Sequence, residues 1–203
     1  MEVGEGRIVH VVDDEPEVRA SLSMLLKSMQ FRPQPWTSGN EFLAGIETSP
    51  PGCVLLDLHM PGLDGLAVQK RMDAVRATFP VVMVSGHGDL PTAIEALRGG
   101  ARDFLSKPFT RIQLQRSLIE AQNWVGDENR QSQMRSRARH KLDSLDRREI
   151  AILGLMSKGQ TERMIAVALD ISIDDVDLCR ETVYVKLEVD RTALAVRTLL
   201  DAA

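Results

Sequence analysis

Cysteine is scarce. The 203 residues hold two, Cys53 and Cys179, far apart and in no CxxC pair, which excludes a disulfide framework and a zinc knuckle. No apolar run approaches the roughly 20 residues that a bilayer-spanning helix needs. The N-terminal stretch MEVGEGRIVH lacks the basic, apolar and small-residue order of a signal peptide. The expectation is a soluble, cytoplasmic protein with no membrane partner. An excess of positive charge is also missing: the formal net charge is −4, so any contact with nucleic acid has to come from a local surface. What is present is ordinary globular material, 43% hydrophobic and 27% charged, enough for one or two cores.

Residues 1–125 alternate short β-rich runs with amphipathic helical stretches, the pattern of an open parallel α/β sheet. Ile8 to Val12 is apolar except for His10, and the segment after it puts Val18, Leu22, Leu25, Leu26 and Met29 on one helical stripe. Phe31 to Trp36 carries Pro33 and Pro35, which predicts an edge strand. Cys53 to Asp57 and Pro80 to Ser85 read as buried strands, and Asp103 to Ser106 as a short last one. Helices are predicted between them, the last over Thr110 to Val125, which makes five strand–helix units. Residues 126–141 form a linker with five basic and two acidic residues. It contains no proline and one glycine, so it is either coil or a solvated helix. Residues 142–203 read as four short helices, the first opened by an Asp146–Glu149 capping box and stopped at Gly159.

Three carboxylates fall at the carboxyl ends of two apolar strands, Asp13 and Asp14 after the first and Asp57 on the third. In a parallel sheet those ends share the edge where ligands bind. Clustered carboxylates stay ionised together only when a cation neutralises them, and hard oxygen donors suit Mg²⁺. Ser85 and Lys107 end the two remaining core strands. This is the set a phosphoaspartate site needs: Asp57 as nucleophile, the metal shielding its charge, and the serine hydroxyl and lysine ammonium on phosphoryl oxygens. Any one of the acids taken alone is equally well a helix cap or a loop residue. Five polar residues at successive strand ends are poorly explained by chance.

The motifs VVDDE, LLDLHMPGLDG, VSGHGD and FLSKPF resemble those of two-component receiver domains, over residues 7 to about 122. The resemblance implies the doubly wound, five-stranded flavodoxin-like fold. It implies that Asp13, Asp14, Asp57 and the His59 backbone carbonyl hold Mg²⁺, with Asp14 the more direct ligand. It further implies that Asp57 accepts a phosphoryl group from a histidine kinase, that Ser85 and Lys107 contact the phosphate, and that Phe104 is the rotating aromatic of the switch. Phosphorylation would then repack the face made by the fourth helix and the last strand and favour a homodimer. No autonomous enzyme activity is expected beyond self-phosphorylation and its reversal.

The stretch LDSLDRREIAILGLMSKGQTERMIAVALDISIDDVDLCRETVYVKL resembles the LuxR-type helix-turn-helix of the FixJ/NarL branch of response regulators. This implies a DNA-binding, transcription-regulating output domain whose third helix enters the major groove. That helix is unusually acidic, with Asp174, Asp175, Asp177 and Glu181 against Arg180 and Lys186. Residues 142–203 hold 8 Lys and Arg against 12 Asp and Glu. Arg163, Arg180 and Lys186 are the candidate DNA contacts. The competing reading is an output domain that does not bind DNA and serves as a phosphate sink or partner-binding regulator.

Overall fold

The computed structural model describes residues 6–75, 77–86, 90–123 and 128–202. His87, in the VSGHGD motif, and the residues joining the last receiver helix to the linker lie outside that set. Two compact units are present, Met1–Gly88 with Gly99–Asp127 and Asp89–Arg98 with Glu128–Ala203.

The first unit is a five-stranded parallel sheet in the order β2-β1-β3-β4-β5. Its strands are β1 (Ile8–Val12), β2 (Arg32–Trp36), β3 (Cys53–Asp57), β4 (Val81–Ser85) and β5 (Asp103–Ser106). β3 and β4 are buried along their whole length, which their unbroken apolar sequences require. β2 is an edge strand, paired only with β1, so the missing N–H groups of Pro33 and Pro35 disturb no central ladder. The helices α1 (Pro16–Ser28), α2 (Gly39–Gly45), α3 (Gly65–Arg71) and α5 (Arg111–Gln122) follow β1, β2, β3 and β5. One face of the sheet packs Val9, Val11, Leu55, Val82, Val84 and Leu105 against Leu22 and Leu26 of α1 and Leu114 and Leu118 of α5. α4 (Leu90–Arg98), the helix after β4, belongs to the second unit.

On the other face, His10 is the polar residue in the apolar run of β1, and it is fully buried. It sits among the rings of Trp36, Phe42 and Phe79 at centroid distances of 6.1, 5.7 and 5.5 Å. Its Nδ1 accepts from the Trp36 indole N–H at 3.1 Å, which leaves Nε2 to donate to the Pro50 carbonyl at 3.0 Å. Both ring nitrogens are thus satisfied by the neutral imidazole.

The second unit contains α6 (Glu128–Leu142), α7 (Arg147–Met156), α8 (Glu162–Leu169), α9 (Ile173–Leu187) and α10 (Thr192–Ala202). The charged linker is therefore helical over α6. Its end is tied down by Arg139, which donates to the Ala202 carbonyl at 2.9 Å, and by Lys141, which donates to the Leu187 carbonyl at 2.8 Å. The Asp146–Glu149 capping box is present, and similar boxes open α5 (Thr110–Gln113) and α9 (Ser172–Asp175). Ile152, Leu153, Ile165, Val176, Val183 and Leu187 fill the core of this unit.

Burial holds the His10 pKa below its ordinary value, with the Pro50 carbonyl partly opposing. In the unfolded chain the imidazole titrates near about 6.5, so the unfolded state binds the proton more readily. The stability contributed by neutral His10 is complete above that pH and is lost as the pH falls below it toward the depressed folded value. In urea titrations followed by fluorescence, the unfolding midpoint should fall between pH 7.5 and 5.5, and His10→Phe should lose that component of the pH dependence. An equal fall in both proteins would remove His10 as its source.

Candidate functional site

Strand register assembles the site. Val12 lies beside Leu56, Asp57 beside Val84, and Ser85 beside Ser106. Asp13, Asp57, Ser85 and Lys107 therefore reach one sheet edge, each on the last residue of its strand or the next one. Lys107 closes the group: its Nζ lies 2.8 Å from Asp57 Oδ1 and 3.1 Å from Asp13 Oδ2. The remaining oxygens accept backbone N–H groups, Asp57 Oδ2 from His59 at 2.8 Å and Asp13 Oδ1 from Glu15 at 2.9 Å. Burial pushes the Asp57 pKa up, while Lys107 and the His59 N–H pull against it. Burial also disfavours the Lys107 ammonium, but the two carboxylates overcome this and raise its pKa.

The other expected residues are arranged less directly. Asp14 is half-buried beside Asp13. The buried Ser85 hydroxyl lies 3.3 Å from the His59 ring Nδ1, and Phe104 is buried in β5. Among the described residues, no three His, Cys, Asp or Glu side chains form a metal-holding group. The convergence is instead of two carboxylates on one ammonium. Two hard anionic oxygens already directed at one cation nevertheless make a donor set that fits Mg²⁺.

Gly65 was not singled out from the sequence, although it ends the LLDLHMPGLDG motif. A Cβ there would lie 2.5 Å from the Asp57 carbonyl oxygen and 2.9 Å from Leu58 Cα. Its N–H donates to the Leu58 carbonyl at 2.9 Å, and Asp64 caps α3 by accepting from Ala67 N at 2.8 Å. Only glycine lets α3 start this close to the backbone of the site.

In the second unit, α8 and α9 are joined through Asp170, which caps α8 in the left-handed conformation at φ 53°. This is a helix-turn-helix. Of the three candidate DNA contacts, Arg163 is exposed. Arg180 is drawn into ion pairs with Glu162 and, at 3.3 Å, with Asp177. Lys186 holds both oxygens of the buried Glu149, at 2.8 and 2.7 Å. Glu149 also completes the cap of α7, so this lysine anchors α9 to α7.

Residues 9–119 match the response regulator receiver domain family, and residues 143–199 match the luxR family of bacterial regulatory proteins. The chain belongs to the response regulators. It is 35% identical to the transcriptional regulatory protein FixJ of Azorhizobium caulinodans over 95% of this chain and 91% of that protein. It is 33% identical to the tetrathionate response regulatory protein TtrR of Salmonella typhimurium over 93% and 90% of the two chains. The crystal structure of full-length FixJ from B. japonicum is similar at a TM-score of 0.59 and 31% identity, covering 98% of each chain. This response regulator thus has a flavodoxin-like receiver and a LuxR-type DNA-binding domain, and it regulates transcription. Among the described residues, no helix is long and apolar enough to cross a membrane.

Two substitutions test the structural roles assigned above. Gly65→Ala should destabilise the first unit by about 1–3 kcal/mol, the usual cost of overpacking, measured by urea unfolding. Lys186→Ala should cost the second unit about 2 kcal/mol, because it strips a buried carboxylate of its cation. Unchanged stability in the lysine variant would return Lys186 to the pool of DNA contacts.

Proposed function

We propose that Asp57 is the phosphoacceptor and that phosphorylation by a histidine kinase controls DNA binding by the second unit. The observation that carries this reading is the buried Asp57 carboxylate, held at the mouth of a parallel sheet by one ammonium and one backbone N–H. An Asp57 oxygen attacks the phosphorus of a phosphohistidine, a P–O bond forms as the P–N bond breaks, and the leaving imidazole takes up a proton. Mg²⁺, held by Asp13, Asp14, Asp57 and the His59 carbonyl, would shield the charge that builds between carboxylate and phosphoryl group. Lys107 exchanges a carboxylate oxygen for a phosphoryl oxygen, and the Ser85 hydroxyl turns from the His59 ring toward another. Phe104, packed in β5, fills the space that Ser85 leaves. The repacked surface favours a homodimer, which sets two α9 helices about one helical turn apart on DNA. The division of labour in this reading is a receiver over 1–125, a linker over 126–141 and an output domain over 142–203, although α4 and α6 are grouped with the second compact unit.

Incubation with radiolabelled acetyl phosphate and Mg²⁺ should label the wild type, and Asp57→Asn should lose essentially all incorporation, since an amide cannot act as the nucleophile. Undiminished label in the variant would remove Asp57 from the role. Sedimentation at tens of micromolar should show a dimer only after phosphorylation. Identical monomer masses before and after would remove dimerisation from the mechanism.

A further inference from the structure

The exposed side of α9 is unlike that of a phosphate-binding helix. Asp174, Leu178, Glu181 and Val185 recur at helical spacing on one stripe, and all four are exposed. Leu178 is 69% and Val185 78% exposed. The opposite stripe, Val176, Val183 and Leu187, is buried. The cations of the helix are withdrawn from the exposed stripe, Arg180 into its pairs with Glu162 and Asp177 and Lys186 into its pair with Glu149. Asp175 is committed as well, because its carboxylate accepts from the Ser172 hydroxyl at 2.7 Å and from the Ser172 N–H at 3.3 Å. Two exposed carboxylates, Asp174 and Glu181, and two aliphatic side chains remain to meet a groove, with Glu181 3.9 Å from the Arg180 guanidinium and so outside hydrogen-bond distance of it.

The second helix of a helix-turn-helix lies in the major groove. A carboxylate offers only acceptors there. Cytosine presents an N4 amino donor, whereas guanine presents O6 and N7 acceptors and repels it. Adenine sets its acceptor N7 beside its amino group and is a poorer match than cytosine. An exposed leucine complements the thymine methyl group. We infer that α9 selects its DNA site through Asp174 and Glu181, each accepting from a cytosine amino group, and through Leu178 against a thymine methyl, with guanine rejected at the carboxylate positions. This inference rests on the DNA-binding reading above. Phosphate neutralisation then falls to side chains off the stripe, such as the exposed Arg163 of α8 and Arg147 at the start of α7.

The test is selection of duplexes from a random-sequence library by the phosphorylated full-length chain, repeated with Asp174→Asn, Glu181→Gln and Leu178→Ala. All three residues are exposed, so the fold should tolerate each change. The expected wild-type site carries cytosine at two positions with a thymine between them. Each carboxylate variant should relax discrimination at its own position by about tenfold and leave the other positions unchanged. Uracil in place of the thymine should weaken wild-type binding severalfold and leave Leu178→Ala unaffected. A selected site without these bases, or one unchanged in the variants, overturns the inference and leaves DNA binding in place. Retention of duplexes with no sequence enriched also overturns the inference, and retention of no duplex at all overturns the DNA-binding reading itself.

Discussion

The Lys107 ammonium between Asp13 and Asp57 is the interaction on which the site depends. Two carboxylates at the ends of adjacent parallel strands repel, and unit charges about 4 Å apart do so by about 4 kcal/mol at the effective dielectric of a protein surface. One ammonium turns that repulsion into two attractions. β4 lies between β5 and β3, so the lysine that follows β5 reaches across a strand to Asp57 and on to Asp13 after β1. The long methylene stem of lysine permits that reach. In the function proposed above, a phosphoryl oxygen takes over this same cation, so one contact serves both the edge as it stands and the proposed chemistry.

Everything near this contact is arranged around its backbone. The His59 N–H fixes one Asp57 oxygen and leaves the other to the lysine. Arg19 donates to the Asp13 carbonyl at 2.6 Å, which ties α1 to the end of β1. Gly65 brings the start of α3 against the Asp57 carbonyl. Such close packing leaves the carboxylate little freedom, which under its proposed role as phosphoacceptor lowers the entropy lost on reaction.

The second unit uses its charges differently. Several of its cations are spent within the domain: Lys186 on a buried glutamate, Arg180 on Glu162, Asp177 and Glu181, Lys141 and Arg139 on helix-end carbonyls. A net-acidic domain can spend them this way only at the expense of phosphate affinity, since counterion release scales with the cations left over. In the proposed dimer, pairing two domains on one site offsets the few phosphate contacts each can make.

The sequence by itself determined the sheet, its edge strand and the identity of the edge residues. Unbroken apolar runs at 53–57 and 81–85 admit only burial on both faces, Pro33 and Pro35 admit only an edge, and parallel strands bring their carboxyl ends to one side. It also determined the capping box at Asp146 and Glu149, because capping is local and needs no distant partner. It left the linker open between coil and helix, since a solvated helix has no apolar periodicity to announce it. Only the tertiary structure decided which charges meet. Lys107 and Asp13 are separated by most of the receiver, Lys186 and Glu149 by the whole of α8, and their pairings arise from strand register and helix packing rather than from spacing along the chain. The same reason explains why the ion pairs of Arg180 and Lys186, two of the three basic residues nominated for DNA, were not legible: a sequence displays the sign of a charge, and only the fold shows what lies beside it.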